Sequence, residues 1–165
     1  MNLFFILLFL LCSVGCRKEP LVKIGELASD FTLPTQEGQK ITLSQYRGKN
    51  VLLFFWTQGC VFCQTRSVLL VNHVFRKGQQ SGLIVLSINV AESKGDVARF
   101  VQEKGLIYPV LMDRDASVSR NKFGVYVVPT FFIIDRDGLI KKRLYGHVTG
   151  KDLLDFVEPY LRKKG

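Results

Sequence analysis

The sequence predicts one α/β domain built around a mixed β-sheet. Continuous apolar runs that are typical of buried strands alternate along the chain with segments of helical periodicity. No linker or internal repeat divides the chain after Pro20, and 165 residues suffice for one well-buried core. The composition, with 47% apolar and 22% charged residues, excludes a disordered, collagen-like or polytopic membrane protein.

A small hairpin and a central strand open the predicted order of elements. Residues 31–33 and 40–42 flank Gly38 and predict a two-stranded antiparallel hairpin. The run 50–56 is continuously apolar and rich in aromatic residues, which is typical of a strand buried on both faces. A helix packed on the sheet is predicted over residues 63–75, because apolar residues recur there at helical spacing.

Strands and helices continue to alternate toward the C-terminus. Gly78 and Gly82 are expected to bracket the turn that ends the first helix. An Asp-Arg-Asp-Gly turn predicts that the last two strands form an antiparallel hairpin. The remaining predicted elements are a strand over 83–88, a helix capped by Asp96 and ended by Gly105, strands over 130–134 and 139–145, and a helix over 151–161.

The N-terminus resembles an export signal. Residues 3–11 form an unbroken apolar run that matches the hydrophobic region of a signal peptide. The run is too short to span a bilayer core, which needs about 20 residues. Small residues at Ser13 and Gly15 precede Cys16 and resemble the lipobox of bacterial lipoproteins, in which the signal is cleaved before a lipid-bearing Cys. The alternatives are an ordinary cleaved signal and an uncleaved hydrophobic tail.

This resemblance divides the chain into three parts. We expect residues 1–15 to be a signal peptide, residues 16–23 a tether lipidated at Cys16, and residues 24–165 the folded domain. Acyl chains on Cys16 would hold the domain at a bacterial membrane surface, outside the cytoplasm. The chain carries 23 Lys and Arg against 14 Asp and Glu, a net charge of +9. Because these basic residues are scattered and lack interleaved aromatic residues, we interpret them as a solvated surface near a membrane and expect no nucleic-acid binding.

The cysteines point to chemistry rather than to scaffolding. Cys12 would leave with the signal and Cys16 would carry lipid, so Cys60 and Cys63 remain as the thiols of the mature chain. A disulfide between these two would close a loop too short to constrain the unfolded chain much. Exported proteins that use cysteines for stability usually contain several, widely spaced. The pair therefore predicts a reactive dithiol.

The dithiol lies where a buried strand is predicted to end and a helix to begin. Cys60 would lie at the helix N-terminus, where the helix dipole and free N–H groups stabilise a thiolate. Cys63 would be shielded and within disulfide reach, so Cys60 is the expected nucleophile and Cys63 the resolving thiol. Zinc normally requires two further Cys or His ligands, and His73 and His147 lack ligand spacing. We expect neither a metal nor an organic cofactor.

Five segments of the chain match a known family in order. They are Ile24-Gly25 to Phe31-Thr32-Leu33, Leu43 to Lys49, Phe55-Trp56 with the dithiol, Phe123 to Thr130, and Phe132 to Gly138. Through these segments residues 24–161 resemble the thioredoxin-fold thiol–disulfide oxidoreductases of the TlpA/ResA/CcmG group, in the alkyl hydroperoxide reductase (redoxin-like) superfamily. The resemblance implies a thioredoxin-like fold for residues 24–165: a central mixed β-sheet flanked by helices, with an N-terminal β-hairpin extension.

The resemblance also implies an activity and a client groove. The groove would be formed by Trp56, Val128, Pro129 and Thr130, with Pro129 after a cis peptide bond beside the dithiol. The protein would exchange disulfides with client proteins as a reductase, for example in cytochrome c maturation. A membrane thiol donor would supply its electrons, and it would act as a monomer.

Several positions depart from the family pattern. Gly59 precedes the first cysteine where Trp is common, and Phe62 precedes the second where Pro is common. The segment 64–67 lacks the Glu often found shortly after the motif. Phe54 stands where thioredoxin has a buried acid, so we expect no carboxylate to handle the proton of Cys63.

Two other activities remain open. Thr57-x-x-Cys60 resembles the Thr-x-x-Cys of peroxiredoxins, which reduce peroxides, but those enzymes place a Pro where this chain has Leu53. A copper metallochaperone would find two soft thiol ligands here. Copper carriers of this fold, however, space their cysteines CxxxC and place a His near residues 128–130, where none stands. A calcium loop at Asp113 would lack the required Gly and Glu.

Overall fold

A computed structural model describes residues 22–161, which form a five-stranded mixed sheet flanked by helices and a separate hairpin. The predicted signal peptide and Cys16 lie outside these residues. The strands are β1 Thr32–Pro34, β2 Lys40–Thr42, β3 Val51–Trp56, β4 Ile84–Val90, β5 Val110–Asp113, β6 Thr130–Ile134 and β7 Ile140–Tyr145. The α-helices are α1 Val68–Ser81, α2 Lys94–Lys104 and α3 Gly150–Leu161. Short turns of other helix types span Leu43–Tyr46 (3₁₀), Cys63–Ser67 (π) and Ser117–Lys122 (π).

The sheet has the strand order β5-β4-β3-β6-β7, with β3 at its centre. β3 pairs in parallel with β4 and antiparallel with β6, so the carboxyl ends of β3 and β4 meet at one edge, where Trp56 lies opposite Asn89. Every residue of β3 is buried because both faces of the sheet are covered. The predicted central strand, the β1–β2 hairpin and the β6–β7 hairpin are confirmed.

Alternate side chains of β3 enter two separate cores. Phe54 belongs to the core under α1 and α3, where its ring stacks on that of Phe131 with centroids 4.7 Å apart. Phe55 belongs to the opposite core, where its ring lies 5.4 Å from that of Phe123. Because alternate side chains of β3 point to opposite faces of the sheet, this strand contributes to both cores and links them into one domain.

The helix limits differ from the prediction at two places. α1 continues through Gly78 to Ser81 and ends at Gly82, whose φ of 80° suits the left-handed C-cap. Gly78 is therefore inside the helix and not part of the turn. Asp96 does not cap α2: Ser93 is the N-cap, and its Oγ accepts a hydrogen bond from the backbone N–H of Asp96 at 3.2 Å.

Four further elements differ from the sequence-based expectation. β5 and the two π turns are not predicted by periodicity, and β4 runs on past residue 88 to Val90. The longer β4 brings the loop that follows it beside the end of β3. Within residues 22–161 no helix is long and apolar enough to cross a membrane.

Candidate active site

The dithiol sits on the turn that joins β3 to α1. The apolar run ends at Trp56, and the backbone N–H of Cys60 donates to the Thr57 carbonyl at 3.4 Å. The chain then enters the π turn Cys63–Ser67, in which the N–H of Val68 donates to the Cys63 carbonyl. Single π turns inside helices occur often at functional sites.

The two cysteines have different environments. Both are free thiols; Cys60 is half-buried, whereas Cys63 has none of its surface exposed. The backbone N–H of Cys63 donates to Cys60 Sγ at 3.1 Å, a contact that stabilises negative charge on that sulfur. Burial raises the pKa of the Cys63 thiol far above its ordinary value, and Cys60 and the carboxylate of Glu92 add to the rise. Cys60 is therefore the thiol that a client can reach, and Cys63 is held protonated behind it.

A loop on the far side of the site faces Cys60. The peptide bond between Val128 and Pro129 is cis, as predicted, and the Val128 carbonyl accepts a hydrogen bond from Cys60 Sγ at 3.6 Å. The N–H of Gly146 donates to the Pro129 carbonyl at 3.0 Å, which ties this loop to the end of β7. Thr130 is buried at the start of β6, and its hydroxyl donates to the Val127 carbonyl at 2.6 Å. Val128 thus faces the dithiol, while Pro129 and Thr130 fix the loop behind it.

Trp56 does not line an accessible groove, contrary to the prediction. Its side chain has no exposed surface and packs against the ring of Phe100, with centroids 5.2 Å apart. Its indole N–H donates to Ser87 Oγ at 2.6 Å. Because β3 is buried on both faces, the last residue of the strand points into the core, and Trp56 supports the turn from beneath.

Exposed apolar side chains lie on the segments that meet at the dithiol. They come from the three segments already joined by hydrogen bonds at the site: the dithiol turn, the loop before the cis proline and the end of β7. We call this set the apolar rim; its members are Val61, Phe62, Tyr126, Val127 and Tyr145. An exposed apolar patch of this kind is typical of a protein-binding surface.

A carboxylate that the sequence motif does not indicate also lies at the site. Glu92, in the loop after β4, accepts a hydrogen bond from the Gln58 N–H, at 2.9 Å from each of its oxygens. Its negative charge contributes to the raised pKa of Cys63. The expectation that no carboxylate handles the proton of Cys63 stays a prediction, but an acid does lie near the dithiol, in the loop after β4 and not in the helix that follows the dithiol.

The two histidines and the aspartate considered as metal ligands have other surroundings in the structure. The His147 ring packs edge-on against Phe62, with centroids 4.8 Å apart, and His73 is exposed on α1. The Asp113 carboxylate accepts hydrogen bonds from the N–H groups of Val118 and Ser119, at 3.2 and 2.7 Å, and so fixes the second π turn. In the part of the chain described here, residues 22–161, no cluster of three or more His, Cys, Asp or Glu could hold a metal ion.

Comparison with known proteins agrees with this geometry. A model of the AhpC/TSA family matches residues 24–143. The thiol-disulfide oxidoreductase ResA of Geobacillus thermodenitrificans is 36% identical over 160 residues, which cover 93% of this chain and 91% of that protein. ResA of Bacillus subtilis is 31% identical, over 92% of this chain and 88% of its own length.

Solved structures agree as well. A candidate thiol:disulfide interchange protein DsbE from Chlorobium tepidum superposes with a TM-score of 0.77 and 27% identity, covering 85% of this chain and 99% of its own. StoA from Bacillus subtilis, at 20% identity and a TM-score of 0.67, shares the fold. The chain therefore belongs to the AhpC/TSA family and is a thioredoxin-fold thiol–disulfide oxidoreductase of the TlpA/ResA/CcmG type.

Proposed function

We propose that this protein is a membrane-tethered protein disulfide reductase that acts outside the cytoplasm. Cys60 is its nucleophile and Cys63 its resolving thiol. The asymmetry of the dithiol carries the proposal: Cys60 is half-buried beside the Val128 carbonyl, whereas Cys63 is fully buried. A client disulfide therefore meets Cys60 first.

The reaction consists of two thiol–disulfide exchanges. The Cys60 thiolate attacks one sulfur of a client disulfide, a Cys60–client bond forms, and the other client sulfur leaves as a thiolate. The Cys63 thiol then loses its proton and attacks Cys60 Sγ. The mixed disulfide breaks, and the first client sulfur leaves with the electron pair. The client gains two electrons, and the enzyme is left with a Cys60–Cys63 disulfide that a membrane thiol donor reduces.

Client binding uses the surface around Cys60. An extended client segment would lie along the backbone of Val128 and Pro129 and cover the apolar rim. This arrangement suits thiol- or disulfide-bearing proteins that are unfolded near their cysteines, and apocytochrome c is one such client. The likeness to proteins named thiol-disulfide oxidoreductase ResA supports the exchange chemistry, and the reductase role in cytochrome c maturation is what we infer from the family resemblance.

Trapping the intermediate tests the mechanism. Cys63→Ser should accumulate mixed disulfides between Cys60 and client proteins, because the resolving thiol is gone. Cys60→Ser, the matched control, should form none and should lose insulin reduction. Normal turnover by Cys63→Ser would contradict the mechanism. Both variants are compared in the full chain, purified from membranes in detergent.

Two measurements in cells test the tether and the direction of electron flow. Palmitate labelling should be lost in Cys16→Ala and kept in Cys12→Ala. Acid quenching followed by thiol alkylation should find Cys60 and Cys63 mostly reduced, because a reductase needs a dedicated supply of electrons. A dithiol that is mostly oxidised in growing cells would indicate an oxidant, or a reductase deprived of its electron donor.

The same variants separate the two alternative activities. A peroxiredoxin-like peroxide reductase would consume peroxide rapidly, and the consumption would survive Cys63→Ser. A copper metallochaperone would bind Cu(I) stoichiometrically against a competing chelator and would not reduce insulin. We expect neither result.

A further inference from the structure

A carboxylate that the two exchange steps do not use lies beside the dithiol. Glu92 follows β4, and the residue before it, Ala91, has a φ of 58° and so lies in the left-handed region. The N–H of Ala91 donates to the Asp113 carbonyl at 2.9 Å, which holds this turn. The side-chain N–H of the buried Asn89 donates to Glu92 Oε2 at 2.5 Å. Glu92 is therefore fixed in place by the ends of β4 and β5.

Glu92 holds one side of the peptide unit that precedes the dithiol. The Gln58 N–H donates to both of its carboxylate oxygens at 2.9 Å. On the other side, the Gln64 side-chain amide donates to the Gln58 carbonyl. These two contacts hold the loop between β3 and Cys60 from both sides: Glu92 is charged and Gln64 is neutral. Substituting each residue in turn can therefore distinguish the effect of the charge from that of the hydrogen bond.

The charge of Glu92 lies beside the dithiol turn, because its carboxylate accepts from the Gln58 N–H two residues before Cys60. It raises the pKa of Cys63, although less than burial and Cys60 do. Among residues 22–161, the other ionisable groups that interact with Cys63 are Cys60 and Tyr108. Burial raises the pKa of Tyr108 well above its ordinary value, so its hydroxyl is neutral at physiological pH. In the mixed disulfide Cys60 carries no charge either. At that stage the negative charge of Glu92 opposes the formation of a thiolate at Cys63.

We propose that Glu92 is a positioning residue that sets the lifetime of the mixed disulfide, because its charge slows the attack of Cys63 while its oxygens hold the dithiol loop. This role rests on the proposed exchange mechanism. A slower second step lengthens the time for which a client stays bound to Cys60. The hydrogen bond and the charge are separate contributions, and the variants below separate them.

A two-step reaction with a small disulfide isolates the second exchange. The Cys60 thiolate attacks dithiobis(nitrobenzoate), forms a Cys60–thionitrobenzoate bond and releases one thionitrobenzoate. Cys63 then gives its proton to solvent and attacks Cys60 Sγ, and a second thionitrobenzoate leaves with the electron pair. The dithiol is oxidised and the reagent is reduced to two coloured anions. Stopped-flow absorbance follows both steps across a range of pH.

Glu92→Gln is the informative variant, because its amide oxygen still accepts from Gln58 while the charge is gone. We expect its second phase to be about threefold or more faster at pH 7 and its pH profile to move to lower pH, since half a pH unit is about threefold in thiolate. The first phase should stay unchanged. Gln64→Ala, which weakens the hold on this loop without changing a charge, should leave the pH profile of the second phase in place. Glu92→Asp keeps the charge and should resolve at the rate of the unmodified protein.

A second phase in Glu92→Gln that is equal to that of the unmodified protein, or slower, would overturn the proposal. A slower phase would mean that Glu92 accepts the Cys63 proton. An Asp variant as fast as the Gln variant would show that side-chain length matters rather than charge. Failure of the exchange mechanism itself looks different, because the unmodified protein would then release no thionitrobenzoate or only one.

Discussion

A glycine inside α1 sets how closely that helix approaches the chain that follows it. A Cβ at Gly78 would lie 2.7 Å from the Leu83 carbonyl oxygen, a backbone atom that cannot rotate away. Alanine would gain about 1 kcal/mol of helix propensity. Displacing a packed helix costs about 1–3 kcal/mol, and a contact this short belongs at the upper end of that range. We therefore expect Gly78→Ala to lower the free energy of unfolding by about 1–2 kcal/mol.

Gly95 in α2 is the matched control. It also lies within a helix, but no atom lies within 4 Å of the position that its Cβ would take. Because Gly95 lies in the first turn of α2 and not in the helix interior, Gly95→Ala should raise the free energy of unfolding by about 0.5 kcal/mol. Urea denaturation followed by circular dichroism measures both variants, and the melting temperatures should move in opposite directions by a few degrees, about 3 °C per kcal/mol. Stabilisation by Gly78→Ala would refute the argument, because the contact with Leu83 would then not be rigid.

Three further predictions concern the core, the dithiol and the rim. Ser87→Ala leaves the Trp56 indole N–H buried without its acceptor and should cost about 1–3 kcal/mol in urea denaturation; a cost near zero would contradict the contact. In the reduced protein the raised pKa keeps the Cys63 thiol protonated in the folded state, whereas the thiol of the unfolded chain ionises above about pH 8.5. The free energy of unfolding should therefore fall as the pH rises above about 8.5, by up to about 1.4 kcal/mol per pH unit. The slope should be shallower in Cys63→Ala, and equal slopes would contradict the assignment. Phe62→Ala removes an exposed rim side chain and should raise KM for a protein client about fivefold, roughly 1 kcal/mol of apolar contact, without slowing the reaction with a small disulfide. Equal losses with both substrates would assign Phe62 to the chemistry rather than to client binding.

The elements predicted well are those whose signal is local and strong. β3 is buried on both faces, so its whole sequence is apolar and the strand is visible without its partners. Cys60 and Cys63 lie three positions apart after the end of that strand, and this spacing alone indicates two thiols within disulfide reach of each other. The likeness to a known family then identifies the cis bond at Pro129, which the residues alone do not indicate.

The elements that were missed depend on distant partners or on competing local signals. β5 has four residues and is defined by pairing with β4, so its sequence carries too few residues for periodicity to identify it. At the start of α2, Ser93 and Asp96 are both good capping residues, and their three-residue spacing is that of a capping box, in which the first residue caps the helix. Trp56 was assigned to the client groove through the family resemblance, but strand alternation turns its side chain into the core.

The position of Glu92 follows from the topology rather than from the motif. Parallel neighbouring strands end at the same edge of a sheet, so the loop after β4 must lie beside the loop after β3. When a dithiol follows one of two parallel neighbouring strands, an acid that follows the other strand is therefore expected to lie near it. This holds even when the helix after the dithiol contains no acid. In this chain the segment 64–67 has no carboxylate, and Glu92 lies beside the dithiol turn from the loop after β4, where it adds to the raised pKa of Cys63. A search confined to the residues around a CxxC motif misses such an acid, whereas pairing the carboxyl ends of predicted parallel strands would find it.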